Sequence, residues 1–300
     1  MSLVNDKLFD INSIKPKEID ETIDKLHKDF NGKTIVKNIC PACGSEQYSF
    51  AFDKYKFHYV ECCKCKSLYV QNSITMEDYK KYAQELEKII YTSEKYQNYL
   101  NELSNNNHFN LELTLSRFLN KNSLVNVAYM GNKAKVFQIA LGGFNTVFEI
   151  ITEASEIQKK YDLIILDHYF EKSVDLSNLM KIITQSLNKN GYLYISSRVG
   201  SGIDILTLWE DTKLYPFEHQ NLMSIDGIKI MLTDNGFNIK ELNTPGTLDV
   251  DNILNSESSN IPKFLKYLSS FNKENALEDF RIFIQKNLLS SFATVIAQKG

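Results

Sequence analysis

The sequence predicts an α/β protein: a doubly wound, mainly parallel sheet in the C-terminal part, behind a small cysteine-bound head and a helical linker. Two observations predict it. From about residue 121 onward, short apolar runs of strand length alternate with segments of helical period, the pattern of a parallel sheet with right-handed crossovers. All five cysteines also lie within residues 40–65, where scattered core thiols would not collect. The length of 300 residues suffices for one large domain or two modest ones. With 43% apolar and 24% charged residues, disorder, collagen and coiled coil are excluded as descriptions of the whole.

Residues 13–30 (SIKPKEIDETIDKLHKDF) read as an amphipathic helix with Ile19, Ile23, Leu26 and Phe30 on one face. The head follows at about 38–71. Cys40-Pro-Ala-Cys43 and Cys62-Cys63-Lys64-Cys65 stand eighteen residues apart, which is C-x2-C…C-x2-C with ribbon spacing. Two thiolates three positions apart on a tight turn reach one Zn²⁺ at about 2.3 Å, and a second such turn completes the tetrahedron. Cys40, Cys43, Cys62 and Cys65 are the expected ligands, with Cys63 left over. Disulfides are disfavoured in a reducing compartment, and a redox C-x-x-C would not need two copies. Four thiolates leave no open coordination position, so the ion is expected to be structural. Gly44 suits the positive φ of the first knuckle. Strands are expected at Gln47–Phe52, Phe57–Glu61 and Ser67–Val70.

Residues 75–120 read as helical, broken by the polar run Ser104–Asn107. Phe9, Tyr79, Tyr82, Tyr91, Tyr96 and Tyr99 are expected to pack these helices, and His27, His58 and His108 to lie on surfaces without a role. Ser123–Tyr129 is a buried-strand run, Lys133–Leu141 a helix ending at Gly142-Gly143, and Asn145–Ile150 a further strand. Tyr161–Asp167 (YDLIILD) is apolar inside, as a central parallel strand would be. A helix over 175–188, the strand Tyr192–Ser197, and a helix over 224–235 follow, the last with Ser224 as N-cap and Gly236 at its end. A strand over 237–243, helical segments through about 287 and the strand Phe292–Gln298 complete the chain. The expected divisions are 1–38, an N-terminal helical segment; 39–72, the zinc-ribbon head; 73–120, the linker; and 121–300, the α/β domain with a helical insertion over about 250–287.

Charge narrows the partners. Lys+Arg 34 against Asp+Glu 37 gives a net charge of −3, with arginine only at 117, 198 and 281, so no polyanion surface is written into the chain. Lys54, Lys56, Lys64 and Lys66 make only a thin basic patch on the ribbon, which speaks against nucleic acid. No apolar run approaches the ~18 residues of a membrane span. The start, MSLVNDKLFD, lacks an apolar signal core, and a cytoplasmic protein is expected.

The stretch YDLIILDHYFEKSVDLSNLMKIITQSLNKNGYLYISSRVGSGIDI resembles the fourth strand, helix and fifth strand of class I S-adenosylmethionine-dependent methyltransferases, ending in their L-x-x-G-G-x-L-x-I-S stretch. PFEHQNLMSIDGIKIMLTDNGFNIKEL is similar to P-x-E-H-x-N-x-F-S-x-x-S-L-x-x-L-L-x-x-x-G-F-x-I-x-E-L, and TPGTLDVDNI matches the segment after the sixth strand in one branch. The order of ribbon, linker and Rossmann-like domain resembles the members with an N-terminal zinc lobe, such as sugar C-methyltransferases and relatives in surface-polysaccharide biosynthesis. The likeness spans about 39–300 and is specific from 161 to 254. It implies S-adenosylmethionine as cofactor and a small acceptor, for instance a nucleotide-sugar.

The chain departs from the family where the cofactor would sit. The loop after the first strand normally carries an acidic residue and Gly-x-Gly, whose bare backbone lets the cofactor approach. Here it reads Asn126-Val-Ala128-Tyr129-Met130-Gly131-Asn132-Lys133, where only Gly131 survives and Ala128, Tyr129 and Met130 crowd the passage. By order along the chain, Asn126, Tyr129, Gly131, Glu149 and Asp167 are the cofactor-side candidates, with Glu149 for the ribose hydroxyls. Eleven residues between Glu149 and Tyr161 cannot hold the usual helix and strand. Either Asn145–Ile150 is the third strand and the second is missing, or the region has collapsed.

Glu218 and His219 stand where the acceptor would sit. His219 is a candidate general base oriented by Glu218, or the pair ties down the loop before Ser224. His168, following Asp167 at the end of the fourth strand, is a third catalytic candidate or a loop hydrogen bond. Ser197 and Arg198 either meet an anionic acceptor or form a surface pair. Two functions follow: methyl transfer to a small acceptor, or a methyltransferase-like interaction or regulatory subunit that no longer binds the cofactor.

Overall fold

The computed structural model of the chain describes residues 17–86, 111–131, 133–246, 248–259, 261–270 and 274–300. Phe9, Tyr91, Tyr96, Tyr99, His108, the run Ser104–Asn107, the start of the expected first helix and the side chain of Ile19 lie outside the described residues. Helix α1 (Lys17–Lys28) buries Ile23 and also His27. The surface placement expected for His27 is therefore corrected. Its Nε2 accepts the Phe217 N–H at 3.2 Å, so Nδ1 carries the proton and donates to the Ile23 carbonyl at 2.7 Å. The imidazole stacks on Phe217, with ring centroids 4.2 Å apart. His58 is exposed beside Asp53, as expected.

The head is an antiparallel sheet of β2 (Tyr48–Lys54), β3 (Phe57–Cys62) and β4 (Leu68–Val70). A strand from far along the chain, β10 (Asn221–Leu222), completes it, with Asn221 opposite Tyr69 and Leu222 opposite Leu68. Two short strands beside it, β1 (Thr34–Val36) and β5 (Asn72–Ile74), pair antiparallel and lead into α2 (Met76–Leu86). Tyr79 and Tyr82 of α2, expected to pack the linker helices, join the apolar cluster of the head. A further helical stretch covers 111–116.

The main sheet runs in the order β11-β12-β9-β8-β6-β7, with β6 at Val125–Met130, β7 at Thr146–Ile150, β8 at Tyr161–Asp167, β9 at Leu187–Arg198, β11 at Phe237–Asn243 and β12 at Phe292–Lys299. The first four strands in sequence are mutually parallel, and β12 alone runs against its neighbours β9 and β11. Strand β8 is buried at every position but Asp162, as its apolar sequence requires. Strand β9 begins earlier than the sequence suggests: Leu187 already pairs with Tyr161, and a register irregularity absorbs Asn188–Gly191. Strand β7 lies directly beside β6, in the second-strand place. Only a turn of 3-10 helix at Ala154–Glu156 separates it from β8, and among the described residues no strand lies outside it.

Helices α3 (Ala134–Ala140), α4 (Leu176–Ser186) and α6 (Ile225–Asp234) cover the sheet. Asp175 caps α4 by accepting the Asn178 N–H at 3.0 Å, and Ser224 caps α6 by accepting the Gly227 N–H at 2.8 Å. Gly236, at φ +79°, ends α6 as expected. A helical group of α5 (Ile203–Leu208), α7 (Asp249–Leu254), α8 (Lys263–Ser270) and α9 (Glu274–Lys286) has its own apolar cluster around Val250, Ile253, Leu265 and Ile284.

The head and the sheet share one core. Cys40, Ala42, Val60, Cys62, Cys65 and Tyr69 pack in the same cluster as Met223, Ile225 and Ile228 of α6. Ser67 Oγ accepts the Ser224 N–H at 3.0 Å, and the Ser224 hydroxyl donates to the Cys65 carbonyl. Gly227 makes this approach feasible, because a Cβ there would overlap Ser67 Oγ and stand 3.1 Å from Ala42 Cβ. Inside a helix a Gly→Ala change ordinarily gains about 1 kcal/mol. Gly227→Ala is expected instead to lose about 1–3 kcal/mol by overpacking this seam. Urea denaturation measures the difference, and a stabilised variant would show that the seam does not hold.

Candidate functional site

The four cysteine sulfurs lie within 4.8 Å of one another, with Cys40 and Cys65 at 3.6 Å and Cys43 and Cys62 at 3.5 Å. Tetrahedral ligation at about 2.3 Å from each sulfur requires separations of about 3.8 Å, so the set fits a zinc ion. Two matching turns build it. The Gly44 N–H donates to the Cys40 carbonyl at 2.9 Å and the Lys66 N–H to the Cys62 carbonyl at 3.0 Å. Gly44 (φ +67°) and Lys66 (φ +61°) share the left-handed backbone that each turn needs. The hydrogen bond between Cys40 and Cys65, with help from Ser67, holds the Cys65 thiol below the ordinary thiol range and Cys40 above it. Cys63 is exposed and stands outside the set.

The second cluster lies at the carboxyl edge of the main sheet. From β6 the chain passes to β7 on one side and to β8 on the other, which makes the gap between the ends of β6 and β8 the topological switch point where such sheets bind ligands. Tyr129 fills it. The side chain is fully buried, its hydroxyl donates to Asp167 Oδ2 at 2.8 Å, and it accepts the Lys133 N–H at 2.6 Å. Its ring contacts Phe137 (centroids 5.2 Å) and stacks on Phe148 (5.7 Å). Ser196 holds the other Asp167 oxygen at 2.8 Å. Next along the edge, His168 sits at φ +51°, a backbone state that costs ~1–3 kcal/mol for a non-glycine residue. Its Nδ1 is 2.7 Å from Glu171 Oε1. A carboxylate only accepts, so Nδ1 carries the proton and Nε2 is the bare nitrogen. That Nε2 is buried without a hydrogen-bond partner. Glu171 is itself fixed by the Ser197 hydroxyl at 2.7 Å.

The structure thus brings Tyr129, Gly131, Asp167 and His168 together and leaves other expected residues elsewhere. Asn126 lies about 10 Å down the strand from Tyr129, where its amide meets Asp162 at 2.9 Å. The Glu149 carboxylate is engaged by Lys159 at 2.6 Å and the Tyr161 hydroxyl at 2.8 Å, contacts that hold it below the usual carboxylate range. Glu218 pairs with Lys172 at 2.6 Å, and His219 Nδ1 accepts the Tyr215 N–H at 3.1 Å. These contacts tie down the loop before Ser224. Arg198 is turned to Asp204 and the Lys213 carbonyl, and the buried Ser197 hydroxyl to Glu171. Glu171 was not visible as a site residue in the sequence, although its spacing of three from His168 was there to be read.

A protein-family model described as a methyltransferase domain matches residues 93–242, half of the chain. The chain belongs to this family. Its fold is that of the class I methyltransferases, and the six-strand order agrees. No curated protein matches it. Among solved structures it is similar to the Haemonchus contortus phosphoethanolamine N-methyltransferase 2 in complex with S-adenosyl-L-methionine, at 15% identity over 77% of this chain and 61% of that one, with a TM-score of 0.45. A SAM-dependent methyltransferase from Archaeoglobus fulgidus shares 14% identity over 73% of this chain and 99% of that one, with a TM-score of 0.41. A cyclopropane synthase from Mycobacterium tuberculosis shares 9% over 63% and 82%, with a TM-score of 0.41.

The family's cofactor does not fit the residues as they stand. Its crevice holds the Tyr129 phenol, whose hydroxyl already satisfies Asp167 and the Lys133 N–H. The acidic side chain expected for the ribose is bound elsewhere, and the strand that would flank the adenine is absent among the described residues. No helix among the described residues is long and apolar enough to cross a membrane.

The thiol cluster is expected to hold one zinc per chain by elemental analysis. Cys40→Ser or Cys65→Ser should release it and lower the thermal midpoint, since ligation energy on the order of 10 kcal/mol is folding energy here. A second expectation concerns Asp249, which accepts from Ser290 Oγ and the Ser291 N–H. Burial, helped by Asp204, pushes its carboxyl up to about 6 from 3.8. The folded state therefore binds the proton more tightly, and this contribution to stability, full below about pH 4, disappears as pH rises through about 6. Across that window the wild type should lose up to about 3 kcal/mol relative to Asp249→Asn, measured by urea unfolding at each pH.

Proposed function

We propose that this chain methylates a small acceptor, a nucleotide-sugar of surface-polysaccharide biosynthesis, in the cytoplasm, with a zinc-stapled head over residues 39–72, a linker over 73–120 and the catalytic domain over 121–300. The acceptor class rests on the resemblance of residues 161–254 to sugar C-methyltransferases. The observation that carries the reading is the His168–Glu171 pair: a carboxylate-oriented imidazole with an unpartnered, buried Nε2 at the carboxyl edge. A bare nitrogen so held is a proton acceptor. In this reading His168 takes the proton from the acceptor's nucleophilic hydroxyl, amine or carbon acid, and Glu171 fixes the ring and stabilises the imidazolium. Gly131 and Asp167 stand on the side where the cofactor would enter, behind Tyr129, while Glu218 and His219 shape the acceptor loop.

One observation favours a second reading, an interaction or regulatory subunit without turnover: Tyr129 occupies the cofactor crevice. Transfer of labelled methyl from S-adenosylmethionine to a panel of nucleotide-sugars separates the two. The first reading expects transfer that falls about 100-fold or more in His168→Gln and less steeply in Glu171→Gln. Absence of transfer to every acceptor, together with no calorimetric binding of the cofactor by the wild type at millimolar concentration, overturns it in favour of the second.

A further inference from the structure

Gln220 and Asn221 are both fully buried, which is uncommon for amides and requires that their polar atoms be met inside the protein. They meet three consecutive carbonyls of the turn that follows β8. The Asn221 N–H donates to the Glu171 carbonyl at 3.0 Å, the Gln220 side-chain amide to the Lys172 carbonyl at 3.1 Å, and the Asn221 side-chain amide to the Ser173 carbonyl at 2.5 Å. Both residues are anchored in the head by their remaining polar groups. The Gln220 carbonyl accepts the Val70 N–H at 3.0 Å, and its side-chain oxygen accepts the Ser73 hydroxyl. Asn221 pairs with Tyr69, and its side-chain oxygen accepts from Lys37 Nζ at 3.3 Å. The turn so held carries His168 and Glu171. At its start the His168 N–H donates to the Ser196 carbonyl of β9 at 2.9 Å, and the Glu171 carboxylate is bound by the Ser197 hydroxyl and by His168 Nδ1, each at 2.7 Å. Those bonds align ring and carboxylate as long as the Glu171 backbone keeps its place, and the three carbonyl bonds are what keep it there.

We infer that Gln220 and Asn221 form a clasp, in which Asn221 is a positioning residue: it holds the Glu171 carboxylate against His168 and so fixes which imidazole nitrogen carries the proton. Its bearing on methyl transfer rests on the reading of His168 as the base, whereas the bonds of the clasp do not. Asn221→Asp isolates the role. The substitution keeps the size of the side chain, and the new carboxylate still faces Lys37, but it has no N–H for the Ser173 carbonyl, so two acceptors confront each other. The turn then leaves β10, Glu171 swings from the ring, and His168 loses the partner that selects its Nδ1–H tautomer.

The test is NMR of the full chain carrying isotope-labelled histidine, in which the ring nitrogens report the tautomer of His168, assigned through His168→Gln. The wild type is expected in the Nδ1–H form. In Asn221→Asp the ratio of that form to the Nε2–H form should fall about tenfold, the effect of one buried hydrogen bond lost. Gly227→Ala, which loosens the seam without touching the turn, is expected to leave the ratio unchanged. Near-UV circular dichroism reports whether each variant is folded. Gln220→Met, which removes one bond of the clasp and adds no charge, should lower the ratio too and keeps the experiment decisive if Asn221→Asp does not fold. A folded variant of either kind that keeps the wild-type ratio overturns the clasp, as does a wild type in the Nε2–H form or a Gly227→Ala that lowers the ratio equally. In the transfer assay Asn221→Asp should lower kcat about tenfold while KM stays within about twofold. The two proposals fail separately. A tautomer lost in Asn221→Asp, with no transfer by the wild type to any acceptor, removes the acceptor reading and keeps the clasp. Transfer by the wild type, with kcat and tautomer unchanged in Asn221→Asp, keeps the acceptor reading and removes the clasp.

Discussion

The architecture depends on one seam, the docking of residues 217–224 between the cysteine head and the main sheet. Every residue of that segment is spoken for by a partner distant in sequence. The Phe217 N–H goes to His27, the His219 carbonyl accepts from Tyr59, and Gln220 meets Ser73 and the Lys172 carbonyl. Asn221 donates through its side chain to the Ser173 carbonyl and through its backbone to Glu171, and Ser224 exchanges hydrogen bonds with Ser67 and Cys65. A two-residue strand such as β10 has no stability of its own. It persists because the head's sheet is rigid, and the head is rigid because its two cysteine turns converge on one point. The same serine that caps α6 is bonded to the second cysteine turn, so the head sets where α6 begins. In this light the Glu218–His219 stretch makes sense as the middle of a tether, with its side chains drawn to Lys172 and Tyr215.

The features legible in the sequence are those fixed by local chemistry. The cysteine spacing reports the convergence of the four thiols because both turns are closed by bonds within four residues. The apolar run of β8 and the Ser224 cap likewise act through neighbours in sequence. What was not legible depends on partners far away. His27 has the helical spacing of a surface residue, and only the Phe217 N–H, 190 positions later, turns it inward. Strands β1, β5 and β10 are two or three residues long, too short for a period to show. Order along the chain points to Asn126 and Glu149, but order does not say how far down a strand a residue lies. Tyr129 shows the boundary well. Its bulk beside Gly131 could be read as crowding, but its two hydrogen bonds need β8 in place.

The two sides of the carboxyl edge are satisfied to different degrees, and that asymmetry is informative. On the side of β6, Asp167 has Ser196 and Tyr129, Tyr129 has the Lys133 N–H, and the group forms a closed set. Leaving any of these buried groups unpaired would cost ~1–3 kcal/mol, so the set resists intrusion by a ligand unless the ligand replaces what it displaces. On the side of β9, Glu171 is equally well held by Ser197 and His168, yet the network stops at the far imidazole nitrogen. A buried nitrogen without a partner carries the same penalty, on a residue already held at positive φ. Packing alone gives no reason to accept both costs at adjacent atoms, since a residue without a ring nitrogen would fill the space more cheaply. The first side is therefore closed by the chain's own hydroxyl, while on the second the buried imidazole nitrogen is left without a hydrogen-bond partner.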